Sequence, residues 1–237
     1  AGRTVVFGIS PQGNNDNNYN TQYSDVGLWL STPGYVDYVM PQVYWGYDFR
    51  LQSGSDRFAF ENIVAEWLAM PRSESVALAF GLGAWRIGAG DGSSAETQEW
   101  ERGHNLADML GSLEGAGADA ISLINTIRGM RIDVNTRRPI LKMNTGGLSG
   151  PAVLPVAVRM VWEVAQAVKV PILGMGGVSK GEDAAQLMLA GASAVAVGTA
   201  LFADPYTPLK VRDGLAVLAA GQGLAAVREL TGKVLPW

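Results

Sequence analysis

ILGMGGVSKGEDA, residues 172–184, is the stretch whose reading decides the fold. A short apolar run breaks at Gly176 and Gly177, and a helix-like pattern follows within a few residues. Such a run is the mark of a parallel strand buried on both faces. Ser179 and Glu182 have the spacing of a capping box, in which the hydroxyl accepts from an orphan amide of the first turn. Gly191 supplies a helix stop, and SAVAVGT (193–199) begins two residues later. The order strand, glycine turn, helix start is one in which backbone N–H groups and the helix dipole favour an anion. Taken alone, the glycine pair calls for nothing more than a tight turn.

Working outward, five further segments have the texture of buried strands: TVVFGIS (4–10), VDYVMPQVYW (36–45), VALAFGLGAW (76–85), DAISLINT (119–126) and SAVAVGT. Between them lie helical patterns over 20–31, 60–70, 95–116, 155–168 and 182–192, with two more starting near Pro208 and Gly223. Strands alternating with helices predict right-handed βαβ units and a parallel sheet. The expected fold is α/β, a (β/α)8 TIM-barrel-like single domain over 1–237 in which six of the eight strands are legible. Either the KMNTGGLSG region and the N-terminus supply irregular extra strands or the sheet has an open edge. An open edge exposes hydrogen-bonding groups, and association of two chains into a homodimer would cover it.

Composition excludes several functions. The formal charge is −4 and no run of Lys and Arg forms a basic stripe, so a nucleic-acid surface is not expected. No apolar run approaches the ~18 residues of a bilayer span. AGRTVVFGIS lacks the layout of a signal peptide and reads as a mature or trimmed end. There is no cysteine, which removes disulfides, thiolate metal sites and cysteine nucleophiles together. The single histidine, His104, speaks against a histidine metal cluster or a Ser-His-Asp triad, so no metal is expected. Compartment stays open, with the cytoplasm favoured. Five of the seven tryptophans lie in the first 100 residues, and the Ala/Val/Gly-rich texture of 115–237 starts after a shift near 110–118.

The second half carries GADAISLINT, GMRID, RRPIL, TGGLSGPA, VPILGMGGV and AGASAVAVGTALFADP in that order. It resembles the C-terminal part of the flavin-containing class 1B dihydroorotate dehydrogenases. The resemblance implies FMN as cofactor, its phosphate held by Gly176, Gly177, Gly198 and Thr199. It places Gly150 of the GGLSG motif beside the flavin, and Asn125 and Thr126 against the orotate. Two adjacent glycine-bearing strand ends before helix starts also suit the phosphate site of a (β/α)8 barrel on physical grounds.

The first half differs. FGISPQGN, TQYSDVGLWLSTPGYVDYVMPQVYWGYD and RGHNLADML resemble bacterial glycoside-hydrolase-like barrels, over about 3–114. That resemblance implies a sugar at aromatic strand ends, with Tyr44, Trp45 and Tyr47 stacking and Gln42 bonding a hydroxyl. The plainer reading is a buried aromatic strand, and the Asn-rich loop reads as a solvated turn. The two segments, 1–114 and 115–237, imply a chimera joined near Glu114–Gly117, at a helix-to-strand boundary.

Catalysis is the missing part. In the dehydrogenase family the base is a cysteine on a loop of the N-terminal half, and none is present here. A general base commonly contributes ~10²–10⁴-fold, so oxidation of dihydroorotate is expected to be lost. Glycosidases need two carboxyl groups across the scissile bond. Asp16, Asp48 and Asp91 follow strands, Asp37 reads as a packing residue, and His104 reads as structural. The catalytic residues are therefore unknown. Three readings stand: an FMN or phosphate-binding barrel, a carbohydrate-binding or hydrolase-like barrel, and an engineered folding scaffold without a ligand.

Overall fold

The computed structural model describes residues 6–83, 93, 99–100 and 104–235, with the backbone alone at 104–107. The chain divides into two compact units, 1–122 with 167–171, and 123–166 with 172–237.

In the first unit the elements are β1 (Gly8–Ile9), α1 (Asn15–Asn20), α2 (Val26–Ser31), β2 (Tyr38–Val39), β3 (Gln42–Val43), α3 (Phe60–Ala69), β4 (Ala77–Leu82), α4 (His104–Gly115) and the start of β5 (Ala120–Leu123). β1 pairs with β2, β2 and β3 both pair with β4, and β4 pairs with β5, all in parallel. The run expected as one strand over 36–45 is cut in two at Pro41, which has no N–H to give to a ladder. Ile63, Val64 and Trp67 recur at helical spacing on α3 and are buried, together with Leu30, Val39 and Phe80.

Two expectations are corrected here. The Asn-rich segment is not a solvated turn: 15–20 form α1, because the Asn14 side chain accepts from Asn17 N and caps it. Asn18 is fully buried, its amide donating to the Gln12 carbonyl at 2.8 Å and accepting from Gln12 N at 3.2 Å. The helix expected over 20–31 begins only at Val26, since Tyr23 turns the chain with a φ of 54° and Asp25 caps α2 through Leu28 N.

The second unit holds β6 (Ile127–Gly129), β7 (Ile132–Asp133), β8 (Arg138–Pro139), β9 (Gly146–Leu148), α5 (Leu154–Ala167), β10 (Ile172–Met175), α6 (Gly181–Ala190), β11 (Ala194–Ala196), α7 (Ala200–Ala203) and α8 (Thr207–Gly221). β10 and β11 are parallel, in register Leu173↔Ala194 to Met175↔Ala196. β6 with β9 and β7 with β8 are antiparallel ribbons. The GGLSG region is thus a ribbon strand and adds none to the parallel set. On α5, Leu154, Ala157, Val161 and Val164 form the buried stripe. A 3-10 turn, Val227–Leu230, stands where a last helix was expected.

The capping box is also shifted by one residue. Lys180 is the N-cap of α6, and Asp183 does the work expected of Glu182. Its Oδ2 accepts from Ser179 N at 3.0 Å, Ser179 Oγ at 2.8 Å and Lys180 N at 3.1 Å. Glu182 instead pairs with the Lys180 ammonium in solvent. Asp183 is buried, so it can hold the turn from inside, where three donors satisfy it.

Candidate phosphate cradle

The two glycine turns leave β10 and β11 at the same end. Met175 pairs with Ala196, the last pair of the ladder, and the Gly176–Gly177 and Gly198–Thr199 turns follow the paired ends of the two strands. Gly176 and Gly177 have φ of 125° and 79°, a region L side chains rarely adopt. A Cβ on Gly177 would lie 2.8 Å from both Leu154 N and Leu154 Cβ and 3.0 Å from the Gly150 carbonyl oxygen. The GMGG turn is therefore packed against the TGGLSG segment and the start of α5, which brings Gly150, Gly176 and Gly177 together. Gly150 itself has φ of 90°.

The donors fit an anion. Among the described residues, the backbone N–H groups of Gly177, Gly198 and Thr199 make no hydrogen bond within the chain. A Cβ at Gly150 or Gly198 would meet nothing within 4 Å, and Gly198 and Thr199 are exposed. Unsatisfied amides beside open space form a site that can accept phosphate oxygens. Lys210 and Asp204 sit just beyond, paired at 2.5 Å, and the ammonium holds the Asp204 carboxyl below its usual range.

Asn125 and Thr126 follow β5. Thr126 donates to Asn125 Oδ1 from its backbone N at 2.6 Å and from its hydroxyl at 3.2 Å. A Cβ at Gly147 would come within 2.5 Å of Thr126 Oγ1, so the β6–β9 ribbon rests on this threonine. Ile124 N donates to Met175 O at 3.0 Å, and Ile124 packs under Gly176. These contacts lie within one unit. The sequence singled out the glycines, but not the Gly147–Thr126 approach or the Asp183 clasp. The acidic residue at the third helical position was the available signal for the clasp.

In the first unit the aromatic strand end is braced within the chain. The Trp45 ring stacks on Phe58 at 5.3 Å, and Tyr47 packs edge-on against Phe60 at 5.0 Å. The Gln42 amide reaches Ser10 O and Oγ at 3.3 and 3.2 Å and accepts the Tyr44 hydroxyl at 2.8 Å. Burial pushes the Tyr47 phenol above its usual value, against its hydrogen bond with Ser112. A further clasp went unread in the sequence: the Glu99 carboxylate accepts from Tyr47 N at 2.9 Å and from Asp48 N at 3.3 Å.

The described candidate carboxylates have local partners. Asp16 pairs with Arg57 at 2.7 Å, Asp37 accepts from Phe7 N at 2.6 Å, and Asp91 lies outside the described residues, as does the His104 side chain. No group of acidic or histidine residues suited to a metal occurs among the described residues. Nor is any helix among them long and apolar enough to cross a membrane.

Comparison with known proteins gives two matches in different parts of the chain. Residues 107–218 match the family described as Dihydroorotate dehydrogenase, and residues 2–93 match Glycosyl hydrolase-like 10. The catalytic subunit of dihydroorotate dehydrogenase B (NAD(+)) from Geotalea uraniireducens is 53% identical over 131 residues, 55% of this chain and 43% of that protein. The corresponding subunit from Bacillus pumilus is 51% identical over 129 residues, 54% of this chain and 42% of that one. The chain thus spans less than half the length of these relatives. A crystal structure of dihydroorotate dehydrogenase from Eimeria tenella, in complex with ferulenol, matches 84% of this chain and 54% of its own, with a TM-score of 0.56 and 21% identity. That likeness shows the fold, α/β of the TIM-barrel-like class, and the sequence matches show a two-part signature. The matches stop at 93 and start at 107, a little before the join read at 114–117.

Proposed function

We propose that the chain is an FMN-binding, TIM-barrel-like chimera that binds the flavin phosphate and has lost the oxidation of dihydroorotate. The observation that supports this reading is the parallel pairing of β10 with β11, whose ends are followed by the Gly177 turn and by Gly198 and Thr199, with N–H groups that make no hydrogen bond within the chain. FMN, when bound, supplies a hydride acceptor. Gly177, Gly198 and Thr199 would donate their N–H groups to phosphate oxygens, and Gly176 allows the backbone to turn toward them. Gly150 would border the flavin without a side chain in the way. Asn125 would offer its amide to an orotate-like ligand, with Thr126 fixing its orientation. The segments 1–114 and 115–237, a cytoplasmic setting and a homodimer belong to the same proposal. The lost turnover rests on the absence of cysteine, and hence of the base that the resemblance requires.

Anaerobic addition of dihydroorotate to the FMN-loaded protein tests this reading. Flavin absorbance near the visible band should remain when substrate is added and bleach with dithionite. Bleaching by dihydroorotate would overturn the lost activity, and failure to retain any flavin would overturn the cofactor.

A further inference from the structure

Residues 127–148 of the second unit hold the two ribbons β6–β9 and β7–β8. In β7–β8, Ile132 stands opposite Pro139 and Asp133 opposite Arg138, so an apolar pair takes one face and a charged pair the other. Apolar side chains lie in solvent along the segment: Val134 is 82% exposed, Met143 83%, and Met130, Ile132, Ile140 and Leu141 about half. Exposed among them are Arg128, Arg131, Arg137, Arg138 and Lys142. Asp133 is the one acidic residue of the segment, and the turn engages it: its Oδ1 accepts from Asn135 N at 2.8 Å and Thr136 N at 3.3 Å. The ion pairs among the described residues involve none of these five cations. The pairing of β7 with β8 thus collects on one ribbon cations that the sequence spreads over 128–142, in a chain whose formal charge is −4.

We infer that this ribbon rests on an anionic lipid surface, with its Arg and Lys side chains against headgroup phosphates and its aliphatic side chains at the acyl boundary. Charge complementarity selects the occupant. A second copy docked through the same face would set these five cations against their own kind, which repels. An anionic leaflet attracts each of them, at about fivefold in binding per Lys or Arg. The exposed aliphatic side chains add burial at the interface, which charge alone does not supply. Long Arg and Lys stems keep the charges at headgroup level while Val134 and Met143 go deeper. Lying on a surface needs no spanning segment, in keeping with the described helices, none of which is long and apolar enough to cross a membrane. This inference is independent of the flavin reading.

Co-sedimentation with vesicles tests it, using phosphatidylcholine alone and phosphatidylcholine mixed with phosphatidylserine. The protein should bind the mixed vesicles, leave them as salt is raised, and bind the neutral ones far more weakly. Arg137→Gln/Arg138→Gln should weaken binding to the mixed vesicles by about 25-fold, two charges at the leaflet being lost. Val134→Ser should weaken it by about tenfold through lost apolar burial. Both variants are expected to keep the circular dichroism of wild type, because the altered side chains are exposed. No binding to the mixed vesicles, equal binding to the two kinds, or unaltered binding by both variants would overturn the lipid surface. If wild type ignores vesicles and light scattering shows a dimer that Val134→Ser dissociates, the occupant is a second copy and the inference fails.

Discussion

Gly177 stands so close to Gly150 that a Cβ on Gly177 would come within 3.0 Å of the Gly150 carbonyl oxygen. Two glycine motifs almost thirty residues apart are thereby locked into one turn at the start of α5. The same approach that shapes the cradle leaves no room for a side chain on its inner wall.

Gly177→Ala is accordingly expected to destabilise the protein by about 2–4 kcal/mol, since it combines a positive φ with overpacking against Leu154. Urea unfolding measures this. Gly198→Ala is the contrast, because its Cβ meets nothing within 4 Å. It should change stability by less than about 0.5 kcal/mol, as an exposed substitution does. Equal losses in both would contradict the packing described.

Asp183→Ala should cost about 2 kcal/mol, because two backbone amides and a hydroxyl lose a buried acceptor at the start of α6. Asp183→Asn retains an acceptor and should recover part of that loss. Thermal unfolding of the two variants checks the order. Glu182→Ala should be almost silent, which a capping role for that residue would contradict.

Asp119 gives a pH signature in the first unit. Burial pushes its carboxyl up, but the Leu78 N–H and the Arg72 guanidinium, at 2.9 and 2.6 Å, outweigh this and hold it below the ordinary aspartate value of 3.8. A depressed folded value means stability that is present above the unfolded pKa and lost as pH falls through the folded one. Asp119→Asn should therefore cost about 0.5–1 kcal/mol at neutral pH, the range of a partly exposed pair. The difference from wild type should shrink as pH falls below 3.8. Urea midpoints across that range test it, and a difference constant with pH would contradict the assignment.

The strands were legible wherever a short apolar run ended in glycine, asparagine or serine, as 172–177 and 193–199 show. Their lengths were overestimated, because Pro41 and the positive φ of Gly176 end pairing that hydrophobicity alone would continue. Helix starts were less legible: Ser179 and Glu182 satisfy the capping pattern on paper, while the buried Asp183 wins because it gathers three donors. The aromatic strand end was ambiguous for a related reason. Trp45 and Tyr47 are as suited to packing on Phe58 and Phe60 as to stacking on a sugar, and residue type cannot tell the two apart. The candidate cradle glycines were singled out because three motifs coincide. The Gly147–Thr126 approach is a long-range contact with no sequence period to betray it.

Titration of the flavin-free protein with FMN, followed by flavin fluorescence, tests the central claim most directly. The account predicts saturable quenching at one FMN per chain and a raised melting temperature. Both should be lost in Gly198→Asp, whose carboxylate would stand among the amides proposed to hold the phosphate, while its circular dichroism stays that of wild type. Unchanged fluorescence and melting temperature in the wild-type protein, or equal binding by Gly198→Asp, would contradict it.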